Sequence, residues 1–184
     1  MDVSEYEFGD DEFGLAMAAC VTVIPGDVVA AIRRIFGSDA GSSCGVVSID
    51  ADGQGDCYQA WHDGKRTVVL ESNGYWGSIA ENLSKAGIVD AESVFWNVNS
   101  QMRYLELRSG ETVREFDPLF RHPEPDSDDE PEPGVGVPYP EEDSLPFAES
   151  PEASALALLA TRTGADIRID TLRSPRETWV APPA

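Results

Sequence analysis

Ser93-Val94-Phe95-Trp96-Asn97-Val98-Asn99 is the stretch from which the fold is read. Val94, Trp96 and Val98 fall on one side and Phe95, Asn97 and Asn99 on the other, the two-residue period of a strand whose faces meet different surroundings. It is assigned as a central strand. Upstream, Ser78-Ile79-Ala80-Glu81 matches a capping box opening a short helix to about Ala86, stopped by Gly87, with Ile79 and Leu83 as its apolar edge. Downstream, Arg103–Arg108 and Glu111–Phe116 are two strands joined at Ser109-Gly110, each with one wet face.

Further from the centre the same signals repeat. Cys20-Val21-Thr22-Val23-Ile24 is a β-branched strand that ends at Pro25-Gly26. Asp27 can cap a helix over 28–36, where Val28, Ile32 and Ile35 recur at helical spacing and Gly37 takes the terminating position. Val46–Ile49, Tyr58–Trp61 and Arg66–Leu70 read as three strands. The Gly and Asp in their connections predict an antiparallel meander. Near the end, Ser150-Pro151-Glu152 starts a helix whose stripe is Leu156, Leu159 and Ala160 and which closes at Gly164; Ile167 and Ile169 alternate with Arg168 and Asp170 as a short edge strand or an extended docking segment. The expected fold class is α+β: a single, mostly antiparallel sheet of about six strands, two to three packed helices and a long acidic Pro-rich loop.

Charge divides the chain. Its 184 residues hold 34 acids against 13 Lys and Arg, a net charge of −21, and residues 118–150 alone hold ten acids and one arginine. Pro-rich acidic sequence buries too little apolar surface to offset chain entropy. The expected organisation is therefore an acidic arm over 1–13, an α+β core over 14–120, an acidic Pro-rich tether over 121–148, a C-terminal helix and edge segment over 149–174, and a loose tail over 175–184. A field of this sign repels phosphate backbones and anionic lipid and favours a basic protein partner, so neither direct nucleic-acid binding nor a membrane is expected. Cys20, Cys44 and Cys57 are odd in number and lack CxxC spacing, the pattern of reduced thiols. With no export segment visible, the expected location is the cytoplasm.

The order of Val21-Thr22-Val23-Ile24, Val69-Leu70-Glu71-Ser72-Asn73-Gly74-Tyr75-Trp76-Gly77, Ser93–Asn99, Phe116-Asp117-Pro118 and Ala155–Leu159 with Thr163-Gly164 resembles a family of small actinobacterial proteins classed only as a domain of unknown function. The resemblance spans Val21 to Leu172, interrupted by the acidic segment, and implies one α+β domain from an actinobacterial source. It implies no chemistry for any residue.

Catalytic and metal signatures are absent from the sequence. His62 and His122 are the only histidines, no phosphate-binding glycine loop occurs, and Asp50-x-Asp52-Gly53 lacks the closing Glu of a calcium loop. No catalytic residue, metal or cofactor is expected. Tyr75, Trp76, Phe95, Asn97, Asn99 and Tyr104 combine aromatic and amide side chains in the pattern of a protein-binding patch. The competing reading of such residue types is structural, with Trp61 and Trp96 in the core and the asparagines bonding backbone at a strand end. The expected function is an acidic module that sequesters or regulates a basic partner, as immunity proteins and antitoxins do. The alternatives are a small-molecule-binding or catalytic domain with a pocket between sheet and helices, and a nucleic-acid mimic.

Overall fold

The computed structural model describes residues 2–8, 14–36, 43–49, 57–121, 132 and 134–180. Its strands are β1 (Ala19–Pro25), β2 (Ser43–Val47), β3 (Cys57–His62), β4 (Arg66–Ser72), β5 (Ala91–Trp96), β6 (Met102–Arg108), β7 (Glu111–Phe116) and β8 (Arg176–Val180). The helices are α1 (Val29–Ile35), α2 (Ala80–Lys85), α3 (Pro151–Thr163) and α4 (Ile169–Leu172). All eight strands join one antiparallel sheet in the order β2-β8-β3-β4-β1-β5-β6-β7. The protein is thus α+β, with eight strands among the described residues where about six were expected.

β1 is the spine because its β-branched residues are buried on both faces. Val21 pairs with Leu70 of β4 and Val94 of β5. These residues and Trp96 face one core, which α3 covers; Ile24, Val69, Leu105 and Leu107 face a second, covered by α1 and α2. Burial of a Leu or Val side chain contributes about 1.5–3 kcal/mol, so a two-sided sheet of this size has ample drive to fold.

α3 explains the ends of the chain. Ala153 to Ala160 are buried on every side, and a helix without a wet face must be covered all round. The sheet covers one flank, and part of the acidic arm covers another: Val3 is buried, Tyr6 packs on the same core, and Phe8 lies 5.5 Å from the Trp96 ring. Ser150 precedes Pro151, and Gly164 takes the left-handed conformation at φ 67, as the sequence pattern requires.

Residues 134–147, placed by composition in the tether, lie against the sheet. Val135 exchanges backbone hydrogen bonds with Glu115, capping the outer edge of β7 and protecting it from foreign strands. Gly136 permits this, since its φ is 82 and a Cβ there would strike the Val113 carbonyl. Glu142 is fully buried. Its Oε1 and Oε2 accept from Arg114 Nε and Nη2 at 2.8 and 2.7 Å, and Oε2 also accepts from Arg121 Nε at 2.7 Å. Tyr139 N donates to Oε1, and Arg114 Nη1 donates to the Val135 carbonyl. The acidic run 122–131, His122 and the Asp50–Gly55 turn fall outside the described residues.

Several sequence-based expectations are corrected. β8 comes from the segment expected to be a loose tail, where Trp179 is buried, and it inserts between β2 and β3, so the expected meander reduces to the β3–β4 hairpin. Ile169 begins a helix and not an edge strand. Ser78 makes no capping bond to α2 but donates to the Tyr75 carbonyl, and Ile79 is the N-cap. β6 is buried on both faces, Tyr104 in the first core and Leu105 and Leu107 in the second. Trp61 is half-buried, with the Arg176 guanidinium 3.9 Å above its ring. β5 is interior as expected but stops at Trp96, and 97–100 form a turn.

Candidate functional site

The turn after β4 is built on a carboxylate. Glu71 points to the α1/α2 side of the sheet and is almost completely buried. Its two oxygens accept from the backbone N–H groups of Trp76 and Gly77, each at 2.9 Å. Gly77 makes this approach possible: a Cβ there would fall on the Thr22 hydroxyl and sit 3.0 Å from Thr22 Cβ. Burial raises the Glu71 carboxyl from 4.5 to about 7, against the lowering effect of the two N–H donors. Burial likewise pushes the neighbouring Cys20 thiol, itself fully buried, well above its usual value. Gly77→Ala is expected to lift the turn from the sheet and cost about 1–3 kcal/mol, with partial recovery when Thr22→Ala is added. A urea double-mutant cycle reads this directly, and additive losses would refute the contact.

The turn sorts its aromatics. Trp76 is half-buried, edge-on to Phe36 at 5.1 Å, while Tyr75 is 52% exposed and meets Phe95 edge-on at 6.4 Å. Beside them Asn97 closes the turn after β5, its Oδ1 accepting from the N–H groups of Asn99 and Gln101 and its Nδ2 donating to Gln101 Oε1. Asn97 is therefore both a structural residue and part of the surface.

Tyr75, Phe95 and Asn97 line one cleft of about 470 Å³, together with Arg103 and Asp117. The structure does not bring the other three sequence candidates to it as lining. Trp76 turns inward to Phe36, and Asn99 is exposed in the turn. Tyr104 is fully buried on the opposite face and donates to Glu92 at 2.7 Å, because strand alternation reverses its direction relative to Phe95.

Acidic groups missed in the sequence border the cleft. Arg103 Nε is 3.4 Å from Glu115, and Glu115, Asp117 and Glu132 line an adjoining depression of about 270 Å³. Desolvation raises the Asp117 carboxyl, which accepts from Leu119 N. Three carboxylates face one arginine here, so the surface combines an aromatic step with a negative rim. The Phe116-Asp117-Pro118 corner was the available signal, since a carboxylate held beside a proline turn has a fixed direction.

Among the described residues no group of three or more His, Cys, Asp or Glu is arranged to hold a metal ion. No helix among them is long and apolar enough to cross a membrane. Comparison with family models, curated proteins and solved structures gives no match.

Proposed function

We propose that the protein is an acidic binding module that captures a basic segment of a partner protein at the Tyr75–Phe95 cleft, restraining that partner in the manner of an immunity protein or antitoxin. The observation that supports this reading is the half-exposed Tyr75 ring set against Phe95, with Glu115, Asp117 and Glu132 close by. An aromatic face attracts Arg or Lys, and neighbouring carboxylates add charge-assisted hydrogen bonds. The exposed Gln101, whose Oε1 is held by Asn97 Nδ2, supplies its amide Nε2 for backbone recognition at the rim. A net charge of −21 would speed encounter with a cationic partner and make it salt-dependent.

Binding of a fluorescent Arg-rich peptide, followed by anisotropy at low and at physiological salt, tests the proposal. Tyr75→Ala is expected to weaken binding by about tenfold or more, as removal of an interface anchor does. Glu115→Gln with Glu132→Gln is expected to slow association and flatten the salt dependence. Both substitutions are on exposed or half-buried side chains, so the fold should persist. Peptide binding unchanged by Tyr75→Ala would overturn this assignment of the cleft.

A further inference from the structure

The opposite face of the sheet, at its other end, carries a cleft of the opposite character. It has a volume of about 290 Å³ and lies where the β3–β4 turn, the start of β5, the end of β6 and the C-terminus of α3 converge. Lys65, Arg66, Arg108 and Arg162 line it, and Glu92 lies at its floor.

The floor is a closed electrostatic unit. Glu92 and Glu106 are direct partners across β5 and β6, with side chains 2% and 3% exposed. Two carboxylates facing each other in low dielectric repel, and each must be balanced by a cation. Arg108 bonds to both, and Arg162 lies 3.4 Å from Glu106 and 3.6 Å from Glu92. Tyr104 donates to Glu92 from below. The Tyr139 ring, 3.5 Å from the Arg162 guanidinium, holds that group flat. Two arginines therefore answer two glutamates, the Arg162 Nε lying 3.6 Å from Glu92 Oε2.

Lys65 and Arg66 are left over. Neither has a carboxylate within ion-pair distance among the described residues, although acids outnumber bases 34 to 13 in the chain. The carbonyl end of α3 does not account for both. The Leu159 carbonyl already accepts from Thr163 Oγ1 at 2.6 Å, and the Ala160 carbonyl accepts from Gly164 N at 2.7 Å. Only Arg66 reaches a carbonyl there, that of Gly164, at 3.5 Å. The cleft lining thus sets four cations against the carboxylate of Glu92, with Glu106 beside it and the Asp63 carboxylate turned to the backbone N–H groups of Lys65 and Arg66.

We propose that this cleft binds a small phosphate monoester, with Lys65 and Arg66 gripping the phosphate at the mouth above the floor that Arg108 and Arg162 neutralise. A phosphate dianion suits two cationic side chains that reach no carboxylate among the described residues, and guanidinium geometry suits its oxygens. The volume corresponds to about ten water molecules, enough for a phosphate with a short stem and too little for a nucleotide's base and sugar together. This site is independent of the Tyr75–Phe95 cleft, which lies on the other face.

Isothermal titration of the full chain with inorganic phosphate and with glycerol 3-phosphate, in chloride buffer of matched ionic strength, tests the proposal. Saturable binding is expected for both, tighter for the ester, and weakened by about tenfold or more in Lys65→Ala/Arg66→Ala. Lys65 is exposed and Arg66 half-buried, so an unchanged circular dichroism spectrum and melting temperature are expected of the variant. No saturable binding to the wild-type protein would overturn the proposal. So would equal binding by the double variant, or succinate binding as tightly as glycerol 3-phosphate.

Discussion

Glu142→Gln is expected to destabilise the protein by about 3–5 kcal/mol, the cost of breaking a buried ion pair from one side. The side chains of Arg114 and Glu142 are both 0% exposed, and the carboxylate serves Arg114, Arg121 and the Tyr139 N–H together. A glutamine amide retains one acceptor oxygen but turns an NH2 group toward guanidinium donors. The fully buried Arg114 then loses the carboxylate that it grips at two points, while Arg121 retains Asp143 at 3.4 Å. The strap over 134–147 depends on this carboxylate, since Arg114 also binds the Val135 carbonyl that seals the β7 edge. Urea denaturation should show a lower midpoint, and the β7 amides should lose hydrogen-exchange protection ahead of those in β1. Replacing the three charges together, as Arg114→Met and Arg121→Met with Glu142→Leu, is expected to recover part of the loss, because an apolar cluster needs no counter-ions. A Glu142→Gln loss below about 1 kcal/mol would mean that water reaches the pair and that the strap is not anchored by it.

That carboxylate also marks the limit of what composition can reveal. Ten acids lie between 118 and 150, and nothing local distinguishes Glu142 from Glu141 or Asp143; its burial is set by Arg114 and Arg121, which the chain brings to it from a different element. Elements defined by short-range periodicity were legible: β1, β4, the β6–β7 hairpin, and α3 between Pro151 and Gly164. β8 was not, because Arg176–Val180 acquires its strand role from partners far away in the chain, as in the Gln59 bond to Thr178. The alternation read through Asn99 overran the end of β5 because the turn contains neither Gly nor Pro; Ser100 takes a φ of 55 there. Of the aromatic and amide candidates, Tyr75, Phe95 and Asn97 were legible as neighbours, since a turn and the end of its adjoining strand share a face. The cationic cleft was hidden by sequence spacing. Its signal was the β5–β6 register, which sets Glu92 against Glu106 and thereby requires arginines nearby.

The folding stability of the wild-type protein is expected to fall as pH rises from about 4.5 to about 7, and Glu71 supplies the cause. Its carboxyl titrates near 7 in the fold and near 4.5 when exposed, so the native state holds a proton that the unfolded chain has released. Below 4.5 both states are protonated and the native form has its full advantage. Through the window between the two values the unfolded state gains from ionisation alone, and above 7 the difference is constant. A shift of this size corresponds to about 3 kcal/mol. Asp166 acts in another window: its bonds to Arg168 lower its carboxyl to about 2, so its contribution is lost only as pH falls below the usual carboxylate range. Glu106 and Asp117 are also raised by burial and add to the same slope as Glu71, so the wild-type curve alone does not isolate it. The comparison with Glu71→Gln does. The amide cannot ionise, and it loses one backbone acceptor at Trp76 or Gly77, so the variant should be less stable at pH 4.5 and should show a shallower decline toward pH 7. Chemical denaturation at a series of pH values measures both curves, and parallel curves would show that Glu71 does not carry the proton. Because the same turn presents Tyr75, the difference between those curves also bears on how firmly the fold holds the Tyr75–Phe95 cleft near neutral pH.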